Sequence, residues 1–359
     1  MDKSNHVVLV YCLTQLGFMF FFYPGNIISS ATEGHWIPIV FGMLVNILVV
    51  WAYMKGLSYF PKQDIISIYL SVGKWAAFVF LCPLVIFLLL VNIITVRGFS
   101  EVISLVFLEN TPVWAISGLF ISISTYMAMN GIGAIFRTGV LLAFLFLPLI
   151  LFTFIISFQN VDFHYVFPIL TKNFSFLWKP GYLHSFSAFA GSFLFLGFIT
   201  PYFTYSRSKM MLALAALVPF FILSVYLPIL TFGQATASTF NFPFVVLVST
   251  IHINWLMFDR VTMFLLLSLI TFSMLFISLL LWEVSRILKR AMPKAKPNYL
   301  MLIVSTLIFA ACMSISSWEG VQMLFNWNIS FRFFTLFAIP FSILIIGLRS
   351  GRRQKDESR

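Results

Sequence analysis

The chain has 359 residues, of which 61% are hydrophobic and only 9% are charged, and its mean hydropathy is +1.00. A soluble domain carries about 25% charged residues, so this composition excludes a soluble protein and indicates a multi-pass membrane protein. The net charge of +11 would suit nucleic acid binding, but the charges lie in loops and in the tail, and we expect no nucleic acid partner.

Apolar runs of about 20 residues predict an all-α fold with about ten transmembrane helices. We expect a single integral membrane domain at 1–348 and a basic cytoplasmic tail at 349–359. The segment 239–258 is interrupted by Pro243, and we interpret it as a re-entrant or interfacial helix. The predicted spans are 7–29, 37–58, 76–106, 112–130, 138–158, 183–203, 210–233, 261–288, 299–317 and 329–348.

The distribution of lysine and arginine predicts the orientation of these spans. With ten spans and both termini cytoplasmic, most basic residues fall in inner loops such as 55–74 and 286–296 and in the tail, as the positive-inside rule requires. Few basic residues remain outside, and Arg332, near the start of span ten, is one of them. We therefore expect an integral multi-pass protein whose main surroundings are the lipid bilayer.

The sequence carries no pattern typical of catalysis. It has no HExxH motif, no paired intramembrane aspartates and no Ser/His pair on neighbouring spans, so we expect neither an enzyme nor a cofactor or metal site. The cysteines lie singly in apolar runs, where packing is their simplest role. Spans one, two, four, seven and nine lack central charges, which argues weakly against proton symport.

The first span is interrupted by a helix breaker in the stretch FFFYPGNIISS, residues 20–30. Pro24 removes a backbone hydrogen bond and Gly25 permits non-helical dihedrals. Such a break could be a loop boundary, a packing kink or part of a binding site. The last alternative is open because irregular backbone at membrane depth is tolerated where it faces a cavity.

Span six, residues 183–203, is rich in small and hydroxyl residues, which also suit close helix packing. Spans one and six lie five apart, as transporter-like inverted five-helix repeats with broken helices 1 and 6 would place them. We therefore predict that backbone groups in the two breaks hold the polar part of a small ligand and that aromatic rings pack on its apolar part. The predicted ligand-binding residues are Gly17, Phe22, Tyr23, Pro24, Gly25, Ser187, Phe189, Gly191 and Ser192.

Span three carries two charges, Arg97 and Glu101, four residues apart and hence on one helix face. Charges inside an apolar run are costly unless they pair or reach water. Both lie near the outer end of the span, so they could extend to the membrane interface, or they could form an outer gate or a subunit contact.

Several motifs recur in the order and spacing of a known family. Span three leads from Arg97 and Glu101 to the segment Leu108–Pro112, which ends in Thr-Pro. The other matching motifs are Pro24 with Gly34-His35-Trp36, residues 126–137 (YMAMNGIGAIFR), Phe167-Pro168-Ile169-Leu170 and Phe258-Asp259-Arg260. Through nearly its whole length the chain resembles the B subunits of GerA-type spore germinant receptors, a branch of the amino acid–polyamine–organocation transporter superfamily.

This resemblance implies a transporter-like fold that acts as a sensor in the spore inner membrane. A small germinant (an amino acid, a nucleoside or a sugar) would bind between spans one and six, and A and C subunits would relay the signal that triggers germination. The sequence departs from the family at the second glycine before Pro24, where Met19 stands, and at an acidic residue of span six, which is absent. An amino acid permease and a scaffold that only anchors the other subunits are the alternatives.

Overall fold

The computed structural model describes residues 3–106, 108, 110–170, 174–251 and 261–357, and it contains helices but no strand within those ranges. Short 3₁₀ turns lie at Phe163–Val166 and Ser175–Trp178, and a π-helical turn lies at Phe334–Ala338. The helices are α1 (Lys3–Met19), α2 (Tyr23–Ser30), α3 (Trp36–Leu57), α4 (Ile65–Val72), α5 (Lys74–Val106), α6 (Val113–Met129), α7 (Ile132–Ile156), α8 (Pro180–Ser185), α9 (Ser187–Ala190), α10 (Phe195–Ile199), α11 (Arg207–Ala237), α12 (Pro243–Ser249), α13 (Thr262–Ala291), α14 (Pro297–Ser314), α15 (Trp318–Phe333) and α16 (Ile339–Glu357).

The helices confirm an all-α membrane protein. Within the described ranges, eight helical stretches are long and apolar enough to cross a membrane, and the bent pair α1–α2 makes a ninth. Helix α6 is an apolar helix of 17 residues and is about 25 Å long at 1.5 Å per residue, which is just short of a bilayer core. These ten units correspond in order to the ten predicted spans.

The last span begins earlier than predicted. The helix starts at Trp318 rather than at residue 329 and continues through the π-helical turn into α16. Glu319, Gln322 and two asparagines lower the hydropathy of residues 318–328. They are nevertheless helical, because part of this face lines a polar cavity rather than lipid.

The break in the first span lies at residues 20–22, ahead of Pro24 and Gly25, and α1 and α2 meet there at 53°. Pro24 stands in the first turn of α2, where a missing N–H costs nothing because that donor would have no helical partner. Span six is broken as expected: α8, α9 and α10 are separated at Phe186 and at residues 191–194.

Helix α12, with Pro243 in its first turn, lies within the segment 239–258 that is predicted as re-entrant or interfacial. Residues 252–260, which include the Phe258-Asp259-Arg260 motif, and Glu109 of the span-three motif lie outside the described residues.

Helix α13 is the centre of the packing. It contacts α1, α5, α6, α7 and α14, and most of its side chains are buried. Helix α16 packs along α3, and α1 packs against α11. Both broken spans thereby contact α13, the first through α1 and the sixth through α10, and most of span six is buried inside the bundle.

The two ends of the bundle differ in character. At one end, Ser206 N–H donates to Ser4 Oγ at 2.9 Å, Lys209 Nζ donates to Asn5 Oδ1 at 2.9 Å, and the basic loops gather there. At the other end, the main-chain N–H of Trp36 donates to the hydroxyl of Tyr226 at 3.1 Å. The ends therefore match the predicted inner and outer loops, while the orientation in the membrane stays a prediction.

Candidate functional site

A cavity of about 290 Å³ opens at the end of the bundle that holds the 31–35 loop, beside the break in the first span. We call it the amide cavity, because four of its lining side chains are amides. Its lining residues are Phe22, Gly25, Asn26, Ser29, His184, Ser238, Phe240, Asn241, Trp318, Val321, Gln322, Phe325 and Asn326.

Three segments build this cavity. Helix α2 presents Gly25, Asn26 and Ser29, the loop after α11 presents residues 238–241, and α15 presents one helical face. That face arises from the spacing of Trp318, Gln322 and Asn326, which are four residues apart and therefore lie one above another. A Cβ on Gly25 would lie 2.9 Å from the carbonyl oxygen of Asn241, so glycine is what allows α2 to approach this loop.

Aromatic rings form the floor of the amide cavity. The rings of Phe22 and Phe325 are 5.3 Å apart between centroids, and Phe22 stacks on Trp318 at 6.1 Å. The imidazole of His184 lies 4.9 Å from the ring of Phe325, and its Nδ1 has no hydrogen bond partner. An apolar floor with a few convergent polar groups is the usual composition of a small-molecule site.

The chemistry of the lining is neutral. Asn26, Asn241, Gln322 and Asn326 each offer donors and a carbonyl acceptor, whereas no Asp, Glu, Lys or Arg lines the cavity. Such a lining suits a small polar molecule with both donors and acceptors. Among the described residues, no group of three or more His, Cys, Asp or Glu could hold a metal ion.

The predicted ligand-binding residues fall in three places. Phe22 and Gly25 line the amide cavity, and Ser187 lines a second cavity of about 20 Å³ beneath the aromatic floor. Tyr23 and Phe189 belong to a buried aromatic cluster with Phe221, in which Tyr23 lies 5.8 Å from Phe189 and 4.8 Å from Phe221.

The remaining predicted residues serve helix packing in this conformation. A Cβ on Gly17 would lie 3.3 Å from Phe272 Cβ, one on Gly191 would lie 2.7 Å from Phe276 Cζ, and Pro24 is buried in α2. Ser192 joins the two broken spans, because its hydroxyl accepts a hydrogen bond from Gln15 Nε2 and donates to the Phe189 carbonyl at 3.0 Å. Helix α1 thus contacts the break of span six, but the cavity lies on the α15 side of them.

Arg97 and Glu101 form an ion pair within α5, and Arg97 also bonds the loop before α15. Arg97 is 4% exposed, and its Nε donates to the carbonyl of Ile315 at 3.1 Å while Nη1 bonds Glu101. Arg97 is therefore held inside the helix bundle instead of extending to the interface. Its bond to Ile315 fixes the segment that leads into Trp318 and the cavity wall.

Sequence reasoning missed the contribution of α15. Gln322, Asn326 and Trp318 fall between the predicted spans nine and ten, although their four-residue spacing is the pattern of one helical face. Arg332, placed at the outer end of span ten, is fully buried instead. A run of amides ahead of an intramembrane arginine was the available signal.

Taken together, the broken first and sixth spans and the polar cavity beside them define a multi-pass α-helical membrane protein of the transporter-like class. The profile of the family described as spore germination protein matches residues 2–349, and the chain belongs to this family. Over 310 residues it is 26% identical to the spore germination protein GerQB of Bacillus cereus, covering 84% of this chain and 83% of that protein. The resemblance predicted from the motifs is confirmed.

Solved transporters share the fold. A manganese transporter of Eremococcus coleocola, in complex with an aromatic bis-isothiourea substituted compound, superimposes with a TM-score of 0.63 at 15% identity. A point mutant of the same transporter gives a TM-score of 0.61 at 16% identity, and both comparisons cover 92% of this chain and 77% of the transporter. At these identities the similarity establishes the fold alone.

Proposed function

We propose that the chain is the membrane subunit of a spore germinant receptor, which binds a small germinant in the amide cavity and triggers germination together with A and C subunits. Membership of the spore germination protein family and the likeness to GerQB support a role in germination. The spore inner membrane, with both termini cytoplasmic, is the proposed location.

The amide cavity is the observation that carries this proposal. Its volume of about 290 Å³ is at the small end of ligand pockets, so it suits a metabolite rather than a large molecule. Its neutral amides and its aromatic floor together offer hydrogen bonds and an apolar surface. Amino acids, nucleosides and sugars remain the candidate germinants by these criteria.

The walls of the cavity suggest how binding becomes a signal. A ligand that contacts α2, the 238–241 loop and α15 at once stabilises the arrangement in which these three segments are close. Such a ligand shifts the population toward that arrangement by the difference in its affinity for the two states. No net transport is needed for this switch.

Germination of spores that carry variants of this chain tests the proposal. Gln322→Leu removes an amide from the cavity at similar volume, and we expect it to raise the germinant concentration for half-maximal response about tenfold, as loss of one net hydrogen bond implies. Met323→Leu, the adjacent and exposed residue outside the cavity, is the matched control. A response to Gln322→Leu that equals the control, at equal receptor abundance, would contradict the proposal.

The transporter fold supports a second candidate, an amino acid permease. Uptake of labelled amino acid into vesicles that contain this chain alone, reduced by Gln322→Leu, would favour the permease. A scaffold that only anchors A and C subunits predicts instead that cavity variants alter subunit abundance and leave the concentration dependence unchanged.

A further inference from the structure

Arg332 is a buried cation with incomplete bonding. It is 0% exposed and lies on α15 between α5, α8 and α9. Of its five N–H donors, one reaches the Leu183 carbonyl at 3.3 Å and one reaches the Phe325 carbonyl at 3.4 Å, while Nε has no partner. No carboxylate pairs with it among the described residues, although a buried charge is costly without a counter-ion.

Arg332 lines the small cavity beneath the aromatic floor. This cavity has a volume of about 20 Å³, close to the space of a single water molecule, and its polar lining consists of Thr95, Ser187, Asn328 and Arg332. Asn328 is 1% exposed, stands one helical turn before Arg332, and its Oδ1 also has no partner. Two residues that each carry an unpartnered polar atom, the Nε–H donor of Arg332 and the Oδ1 acceptor of Asn328, therefore line the same small cavity.

Phe22 and Phe325 line both this cavity and the amide cavity above it. A ligand whose head group lies beside Arg332 and whose remainder lies in the amide cavity would have to pass between these two rings. We propose that Arg332 binds the carboxylate of the ligand and that Asn328 Oδ1 accepts a hydrogen bond from a neighbouring ammonium or hydroxyl group.

This inference rests on the proposed function and narrows the ligand class to small carboxylates. A nucleoside or a sugar has no anionic group, so its binding would leave the Arg332 charge uncompensated. A carboxylate takes two parallel N–H donors from a guanidinium, and the unused donors of Arg332 supply them. The bond to the carboxylate would also draw the ligand past Phe22 and Phe325, which links recognition to movement of these rings.

The experiment measures ligand-induced thermal stabilisation of the purified full-length chain in detergent. The probes are the common L-amino acids, the carboxamide of each amino acid that stabilises, nucleosides and sodium chloride. We expect at least one amino acid to raise the temperature midpoint of unfolding. Its carboxamide should need an at least about 30-fold higher concentration for the same shift, because it lacks the negative charge and leaves the buried Arg332 without its charge partner. Arg332→Met should abolish the shift and Arg332→Lys should weaken it, whereas Arg349→Met, an exposed arginine near the end of the last span, should leave it unchanged.

Several outcomes would overturn the inference. They are no stabilisation by any carboxylate, an equal response to acid and carboxamide, an unchanged response in Arg332→Met, stabilisation by nucleosides alone, or equal stabilisation by chloride. If Arg332→Met does not fold, Arg332→Lys and the comparison of acid with carboxamide on the natural chain decide the question. Germination of spores that lack this chain is measured separately. If the purified chain binds carboxylates but these spores germinate normally, the proposed function is refuted while the Arg332 site is still supported.

Discussion

Replacing Arg97 by glutamine should destabilise the chain more than replacing Glu101 by glutamine, although both changes break the same ion pair. Arg97→Gln removes the bonds to Glu101 and to the Ile315 carbonyl, and it leaves a carboxylate that is only 18% exposed without a counter-ion. Loss of one partner of such a pair costs about 3–5 kcal/mol. Glu101→Gln also leaves a buried charge without a counter-ion, but Arg97 keeps its bond to the Ile315 carbonyl and gains a neutral acceptor. We therefore expect a loss at the lower end of that range, about 3 kcal/mol.

Denaturant unfolding of the purified chain in mixed micelles measures both losses, and the double variant Arg97→Gln/Glu101→Gln completes the cycle. The double variant has no unpaired carboxylate, so it should be more stable than Arg97→Gln alone. Equal losses for the two single variants, or losses that simply add in the double variant, would refute this account of the pair. A subunit contact at Arg97 would appear differently, as reduced co-purification of the A subunit with unchanged stability in Glu101→Gln.

Three further predictions concern packing, hydrogen bonding and pH. Gly56→Ala should lower the unfolding free energy by about 1–3 kcal/mol, because its Cβ would lie 2.7 Å from a backbone nitrogen of α16. Gly118→Ala is the control: its Cβ meets only an ordinary contact at 3.6 Å, and the variant should gain about 0.5–1 kcal/mol from helix propensity. Ser192→Ala should cost about 1 kcal/mol by leaving an amide hydrogen of Gln15 unpaired. Adding Gln15→Leu should recover only part of that loss in the same unfolding assay, because Gln15 Nε2 also donates to the Tyr11 hydroxyl at 3.0 Å. Burial lowers the pKa of His35 from 6.5 to about 4, so the unfolded chain takes up a proton below pH 6.5 before the folded chain does. The free energy of unfolding should therefore fall by about 2 kcal/mol as the pH is lowered from 8 to 5. His35→Gln should lose this part of the pH dependence.

The number and order of the spans could be predicted because lipid imposes a simple rule. Each crossing must satisfy its own backbone hydrogen bonds, so an apolar run of sufficient length is almost necessarily a helix. Helix α6 was recognised by the same rule at only 17 residues, because polar turns bound it on both sides. The start of α15 was missed, since hydropathy cannot distinguish a polar loop from a helical face that lines a cavity.

The place of the first break was predicted to within a few residues, and the error has a local cause. Proline and glycine mark a break in the sequence, but a proline is best accommodated in the first turn of a helix. The helix therefore ends at Met19 and restarts at Tyr23, with Pro24 already inside the new helix. A Pro-Gly pair after an apolar run thus indicates the restart of a broken span rather than the gap itself.

The composition of the candidate site depended on long-range packing and could only partly be predicted. Phe22 and Gly25 were found because they adjoin the break, whereas Gln322, Asn326 and Arg332 lie about 300 residues away along the chain. The sequence of α15 and its neighbours does not indicate which helices α15 packs against. Only the unusual density of amides before an intramembrane arginine could have drawn attention to it.

The position of Phe22 connects the break, the cavities and the proposed signal. Its ring stands between the amide cavity and Arg332, it stacks on Trp318, and its Cζ would lie 3.0 Å from a Cβ on Gly98 of α5. Because Phe22 lies in the turn between α1 and α2, its displacement need not unfold a helical turn. A carboxylate drawn toward Arg332 would therefore move this ring against α5 and α15 at low cost. Binding at the centre of the bundle would in this way alter the contact between two helices that reach its surface, where partner subunits could respond.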